Sequence, residues 1–315
     1  MHPSIRPMKS VAGGSLAILL SALTLHAQEK VDVCIYGATP AGINAAIAAK
    51  QEGASVILIE PSRWVGGILG AGIKAKQDCP EPRAVGGLTQ SKIFSFGSFP
   101  SVLRKDFEQW LKDENIEIIR EHRVKSATKD GAKITTVTFE NAPPDKEGIP
   151  APAALPGSPE KQVQATVFID ASYEGDLMAK AGVSYSVGRE ASSEFNEDPA
   201  GVGKVTNWTP IDPYVKAGDA SSGLLPMIDP DHGKPLGAAD DYTQAYNYRF
   251  YVTDEPSNRA EFGVPAGYDA AQYELVGGLV EHLKKEHADN PKALDERLSW
   301  IFPGWMNSGE YNYQR

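Results

Sequence analysis

VDVCIYGATPAGINAAIAAKQEGASVILIE, residues 31 to 60, decides the fold. The apolar run 31–36 has the length of a buried strand, and GATPAG turns the chain. An alanine-rich helix is expected from Pro40 to Glu52, and ASVILIE reads as a second buried strand that closes on an acid. In this order the parts make the anatomy of a dinucleotide-binding βαβ unit. Gly37 permits the tight turn out of the first strand, and Gly42 lets the helix pack closely on the sheet. The middle glycine of the usual fingerprint is absent: Thr39 stands there, followed by Pro40 with a φ preset for a first helical turn. No acid interrupts the helix start, so its free N–H groups and dipole favour a diphosphate. Glu60 sits where a carboxylate accepts hydrogen bonds from ribose hydroxyls and disfavours a 2′-phosphate. The plainer alternative is an ordinary strand-to-helix turn with Glu60 as a solvated strand-end acid.

Beyond Glu60, EPSRWVGGILGAG carries the glycine pair Gly66 and Gly67, which lets a loop backbone pass close to a ligand. This segment resembles the extended fingerprint of FAD-binding proteins of the glutathione-reductase type, which ordinary nicotinamide dehydrogenases seldom carry. A second block, residues 161–187, holds the strand ATVFIDAS with Asp170 at its end, a turn of small residues and a helix expected from Asp176 to Ala181. DASYEGDLMAKAGVSYSVGRE, with VDVCIYGATPAG and the tract AVGGLTQ, resembles FAD-dependent oxidoreductases of the heterodisulfide-reductase-A-like group, many of them exported bacterial proteins. The resemblance covers residues 30 to 315, most strongly in the two nucleotide blocks. It implies that Gly37, Thr39, Pro40, Ala41 and Gly42 contact the diphosphate of FAD, that Glu60 holds the adenosine ribose, and that Gly66 and Gly67 line the cofactor channel. It also implies that Asp170 lies near the cofactor and that Val124, in REHRVKSA, offers its backbone to the adenine; an ordinary buried strand valine is the equal alternative.

The chain departs from that group in two ways. Comparable members run past residue 315 into a glycine-rich segment that returns to the flavin, so this chain is expected to be C-terminally truncated, or split from a partner that supplies that segment. The group's name also evokes an iron–sulfur cluster, normally held by four cysteine thiolates, whereas only Cys34 and Cys79 occur here. No four-cysteine cluster and no metal site are expected. DPDHG is not a calcium loop, because glycine takes its fifth position and no glutamate closes it. His282 and His287, five apart on a helix, do not share a face and are expected to be exposed.

A formal charge of −10 with no Lys/Arg cluster excludes a nucleic-acid surface. Two cysteines make no disulfide framework, and both are expected as free thiols. Residues 1–27 read as a signal peptide, with His2, Arg6 and Lys9 before the apolar stretch VAGGSLAILLSALTL. Leu25 fits the cleavage rule poorly, which leaves an uncleaved anchor as the alternative; cleavage, giving a secreted or periplasmic protein with no stable membrane span, is the expectation. The sequon at Asn207 means little in a bacterial host.

The expected fold class is α/β: an FAD/NAD(P)-binding Rossmann-like parallel sheet with a β-meander and a partial second cap or substrate domain. Boundaries are expected at 28–188 for the FAD-binding domain and 189–315 for the substrate or cap domain. Residues 68–100 are expected to wrap the cofactor and residues 101–115 to form a helix facing inward with Leu103, Phe107, Trp110 and Leu111. IEIIREHRV and KITTVTFE read as strands, and the Pro/Ala-rich stretch 141–159 as a surface loop. QAYNYRFYVT reads as a half-buried strand, followed by a helix around Tyr273 to His287.

The function expected is hydride transfer from a small polar substrate, such as a sugar or sugar derivative, to FAD. The alternatives are an NAD-dependent dehydrogenase and a noncatalytic nucleotide-binding or interaction module. No catalytic base stands out: His232 is a candidate in a charged loop, and Tyr246, Asn247 and Arg249 could bind a polar substrate. The electron acceptor is not legible.

Overall fold

The computed structural model describes residues 29–71, 81–97, 99–146, 151–203, 211–228, 233–242, 249–253, 255–260, 263–301 and 310–314. The leader 1–27, Cys79, the sequon at Asn207, His232, Tyr246 and Asn247 lie outside the described residues.

The chain begins with β1 (Glu29–Tyr36), α1 (Pro40–Gln51) and β2 (Val56–Glu60). Short helices α2 (Gly67–Gly70) and α3 (Gly87–Ser91) lead to α4 (Pro100–Asp113) and β3 (Glu117–Arg120). Then come β4 (His122–Asp130), β5 (Lys133–Asn141), β6 (Lys161–Asp170) and α5 (Asp176–Lys180). The remainder holds α6 (Ser192–Phe195), β7 (Tyr214–Lys216), β8 (Asp219–Leu224), β9 (Arg249–Thr253), α7 (Glu274–Glu286), α8 (Pro291–Ile301) and β10 (Glu310–Gln314).

Six strands form one sheet in the order β3-β2-β1-β6-β5-β4, which confirms the α/β reading. β3, β2, β1 and β6 run parallel, whereas β6, β5 and β4 are antiparallel, the expected meander. The chain leaves β1 toward β2 and β3 on one side and returns as β6 on the other. Such a reversal opens a crevice at the carboxyl ends of the strands. Tyr36 is in register with Ile59 on one side and Asp170 on the other, so the three strand ends are level.

Both faces of β2 and of the C-terminal half of β1 are covered, which explains their near-continuous apolar runs. Ile35 and Leu58 face α1 and α4, packing with Ile43, Ile47, Leu103, Phe107 and Trp110. Cys34, Tyr36, Ile57 and Ile59 face Val124, Val137, Phe139 and Leu177. Cys34 is a free, buried thiol, and burial, with the charge of Glu29 second, pushes its pKa up to about 12. Deep burial and a high pKa make a thiol inert, so Cys34 is a core residue.

IEIIREHRV is divided rather than continuous. Glu121 adopts the left-handed conformation (φ 59°) between β3 and β4, donates its N–H to the Ser62 carbonyl and accepts the Ala142 N–H. The break lets the chain leave its parallel pairing with β2 and enter the antiparallel pairing with β5. The insertion after β5 is fastened where it is described: Arg63 Nη2 donates to the carbonyls of Pro144 and Asp145, and Arg123 Nη1 to that of Ala151.

Past Gly188 the chain is held to a later segment by backbone hydrogen bonds from Ser192 N–H to the Gly237 carbonyl, from Gly237 N–H to the Val202 carbonyl and from Val202 N–H to the Ala238 carbonyl, and by a two-residue ladder. Arg189 and Asp240 exchange backbone hydrogen bonds, and their side chains form a bidentate pair with the Asp240 carboxylate fully buried. β9 pairs with β10, and β7 with β8. His282 and His287 are half-buried rather than exposed, with Nε2 atoms 3.3 and 3.8 Å from Glu286 Oε2. Among the described residues no helix is long and apolar enough to cross a membrane, and no three His, Cys, Asp or Glu gather as a metal site.

Phe107 is fully buried and meets Phe96 edge-on at 5.2 Å. Phe107→Ala is expected to cost about 3–5 kcal/mol, read as a lower urea midpoint with unchanged slope. The Asp240 carboxyl is held below its ordinary 3.8 by the hydrogen bond from Arg189. A depressed carboxylate contributes stability that is full above its unfolded pKa and is lost as pH falls through the folded value. Amide protection at residues 189 and 240 should therefore fall on acidification below about pH 4, and Asp240→Asn should remove that pH dependence; hydrogen exchange monitored from neutral to acid pH checks both.

Candidate functional site

The crevice forms where three loops meet: residues 37–40 after β1, 61–66 after β2 and 171–175 after β6. Gly37 N–H donates to the Ile59 carbonyl at 2.8 Å, and Ala171 N–H to the Tyr36 carbonyl at 2.8 Å. Gly37 has φ +99°, and a Cβ there would meet Ser172 N at 2.7 Å. Gly42 has no room either, since a Cβ would collide with the Gly37 carbonyl oxygen. Both glycines thus hold the turn and the helix-to-strand approach that the sequence assigns to them.

Thr39 explains why the middle glycine is dispensable. Its φ of −69° suits any residue, and it caps α1, with Oγ1 accepting the Gly42 N–H at 3.2 Å. The same hydroxyl donates to the Ala171 carbonyl at 2.8 Å. The side chain is therefore turned into the junction with the β6 loop and is 6% exposed. Of the first helical amides, Pro40 has none and Gly42's is capped, which leaves those of Thr39 and Ala41 without an intrahelical partner. Ala41 is exposed, and no acid lies in the first turn.

Glu60 is buried at 7% exposure, so it is not a solvated strand-end acid. Its Oε2 accepts the Ala38 N–H at 2.6 Å and its Oε1 the Ser62 N–H at 2.8 Å. A carboxylate offers about four lone-pair sites, so two bonds leave capacity for ribose hydroxyls. Ala38 in turn accepts the Gly66 N–H on its carbonyl at 2.8 Å, which draws the second glycine turn onto the first.

The glycine pair has reasons beyond close ligand approach. Gly66 has φ +87°, and a Cβ there would collide with the Phe107 ring; Gly67 has φ +50°, and a Cβ there would collide with the Tyr173 hydroxyl. Arg104 stacks on Trp64, 4.0 Å from the ring centre, and its Nε donates to the Gly70 carbonyl at 2.9 Å, pinning the α2 segment to α4. α3 packs on the flank of α1, where Asn44 Nδ2 donates to Thr89 Oγ1 at 2.7 Å.

Asp170 organises its own loop. Oδ1 accepts Ser172 N–H and Oγ–H at 3.0 and 2.7 Å, and Oδ2 accepts the Met178 N–H at 2.9 Å. Val124 has a buried side chain in the cluster that holds Tyr36 and Phe139, and the Tyr36 hydroxyl donates to Asp176 Oδ2 at 3.5 Å. Burial, with the charge of Asp176 second, raises the Tyr36 pKa. Tyr173, which the sequence reading did not single out, reaches Ile68 N–H at 3.0 Å. Arg249 lies in β9, away from these loops in sequence and sheet.

The residues present fit a dinucleotide. Two helix-start amides lack an intrahelical partner, Gly42 clears the helix approach, and a buried acid with spare acceptor capacity stands at the end of the neighbouring strand.

Among solved structures, the chain is similar to L-proline dehydrogenase from P. horikoshii at 24% identity over 46% of this chain and 23% of that one, with a TM-score of 0.30. It is similar to a geranylgeranyl bacteriochlorophyll reductase-like protein from Thermoplasma acidophilum at 15% identity, over 50% and 43% of the two chains, with a TM-score of 0.35. A flavoprotein/dehydrogenase from Cytophaga hutchinsonii matches at 22% identity over 51% and 44%, with a TM-score of 0.31. The chain thus spans less than half the length of these structures. No curated protein matches it. Residues 32–301 match the family described as FAD dependent oxidoreductase, so the chain belongs to that family, whose cofactor is FAD.

Proposed function

We propose that the crevice holds FAD by its adenosine diphosphate half and that the whole protein is an exported oxidoreductase of the heterodisulfide-reductase-A-like group. Its substrate in this reading is a small polar metabolite, a sugar or sugar derivative, that gives up a hydride. The observation that carries the reading is the buried Glu60 carboxylate beside the acid-free start of α1. Thr39 and Ala41 amides bind phosphate oxygens, while Gly37, Pro40 and Gly42 shape the turn around them. Glu60 keeps Ala38 and Ser62 in place and accepts from the ribose hydroxyls with its remaining lone pairs. Gly66 and Gly67 carry the channel onward, Asp170 holds the β6 loop against Thr39 through Ala171, and the Val124 strand borders the adenine. Bound FAD supplies the hydride acceptor. Export rests on the leader-like residues 1–27, and the formal charge of −10 with no Lys/Arg cluster supports a small-molecule partner rather than nucleic acid.

Wild-type chain titrated with FAD should quench flavin fluorescence saturably, and Gly42→Ala should abolish the quenching because the added methyl drives into Gly37; quenching that survives in the variant counts against the fingerprint. Glu60→Gln retains one acceptor oxygen where two amides need one each. It should weaken FAD at least about tenfold in the same titration, and a wild-type Kd would refute the ribose role.

A further inference from the structure

Tyr173 crosses the crevice from the turn between β6 and α5 to the start of α2. Its hydroxyl oxygen accepts the Ile68 N–H at 3.0 Å across a separation of 105 residues. A Cβ on Gly67 would collide with that hydroxyl and come within 3.2 Å of Pro40 Cδ. The phenol oxygen, the second glycine turn and the first residue of α1 therefore share one small volume. The residue is 58% exposed overall, so the contact fixes the hydroxyl end and leaves much of the side chain open to the crevice mouth.

A phenol that accepts one N–H still has its own proton to donate. Burial raises the Tyr173 pKa, the Ile68 amide opposes the shift, and the charges of Glu174 and Glu60 add to it. The proton therefore stays on oxygen at neutral pH, and the group is a donor. The helix start has two donors fewer than usual for a structural reason: Pro40 has no N–H and Thr39 caps that of Gly42, which leaves only the amides of Thr39 and Ala41. A side-chain donor on the facing loop makes good that deficit, and phosphate oxygens are strong acceptors for it.

We propose that Tyr173 is a binding residue that donates its hydroxyl proton to the diphosphate of a nucleoside diphosphate or its ester. The Ile68 N–H serves to aim it. The inference rests on the FAD reading above but concerns a residue outside both glycine turns.

Calorimetric titration of the full chain with ADP and with adenosine, for wild type and Tyr173→Phe, tests it. Phenylalanine keeps the ring, and the melting temperature in the absence of ligand serves as the control for folding. The expected result is about tenfold weaker ADP binding, the loss of one charge-assisted hydrogen bond, with adenosine affinity and melting temperature unchanged. ADP bound equally by both proteins overturns the proposal. Parallel loss of ADP and adenosine overturns it too, because the residue then only shapes the crevice. A wild-type chain that binds neither ADP nor FAD refutes the FAD reading itself and removes the basis of this inference.

Discussion

One buried carboxylate organises the nucleotide end of this protein. A charge removed from water is costly unless polar groups replace its hydration, and Glu60 is supplied with the amides of Ala38 and Ser62. The consequence spreads through the backbone. Ala38, itself fully buried, is gripped at its N–H by Glu60 and at its carbonyl by Gly66, so the loops after β1 and β2 are tied to each other. Without the carboxylate, the Ala38 amide would be buried without its acceptor, and the turn that aims the start of α1 would lose its support. The acid is thus an architectural part of the site before any ribose reaches it.

Much of this was legible because it is local. Gly37, Gly42 and Glu60 belong to one βαβ unit, and their spacing fixes where they must meet. The helical period of Leu103, Phe107, Trp110 and Leu111 placed all four in the core, and the change of character after β5 located the meander. Thr39 stands where the fingerprint has its middle glycine, and the sequence alone does not explain why glycine is dispensable there. The sequence showed the loss of close approach, whereas the structure shows a backbone that does not need glycine and a hydroxyl tied to the β6 loop.

The illegible parts depend on partners distant in sequence. Gly66 and Gly67 looked like freedom for a loop, but Phe107 and Tyr173 occupy the space their side chains would take. No period or propensity announces that Ile68 will bond a tyrosine in another block, and Tyr173 was accordingly passed over. Glu121 escaped notice for a related reason. Its positive φ follows from two pairings that pull on either side, with β2 before it and β5 after it, and neither is written in the apolar run IEIIREHRV.

A formal charge of −10 opposes an anionic ligand at long range, and distance decides why it need not do so at the site. At physiological ionic strength exposed charges farther away than about 8 Å are largely screened, so net charge acts on encounter more than on the bound state. Within that radius the balance is local. The first turn of α1 carries no acid and presents amides at the positive end of its dipole. The oxygens of Glu60, the carboxylate at the end of β2, are already engaged by two N–H groups, which disperses its charge into the backbone. Asp170 is treated in the same way by Ser172 and Met178. Glu60 and Asp170 therefore act as fasteners of loops. They leave the amides and hydroxyls of those loops as the groups that a diphosphate meets.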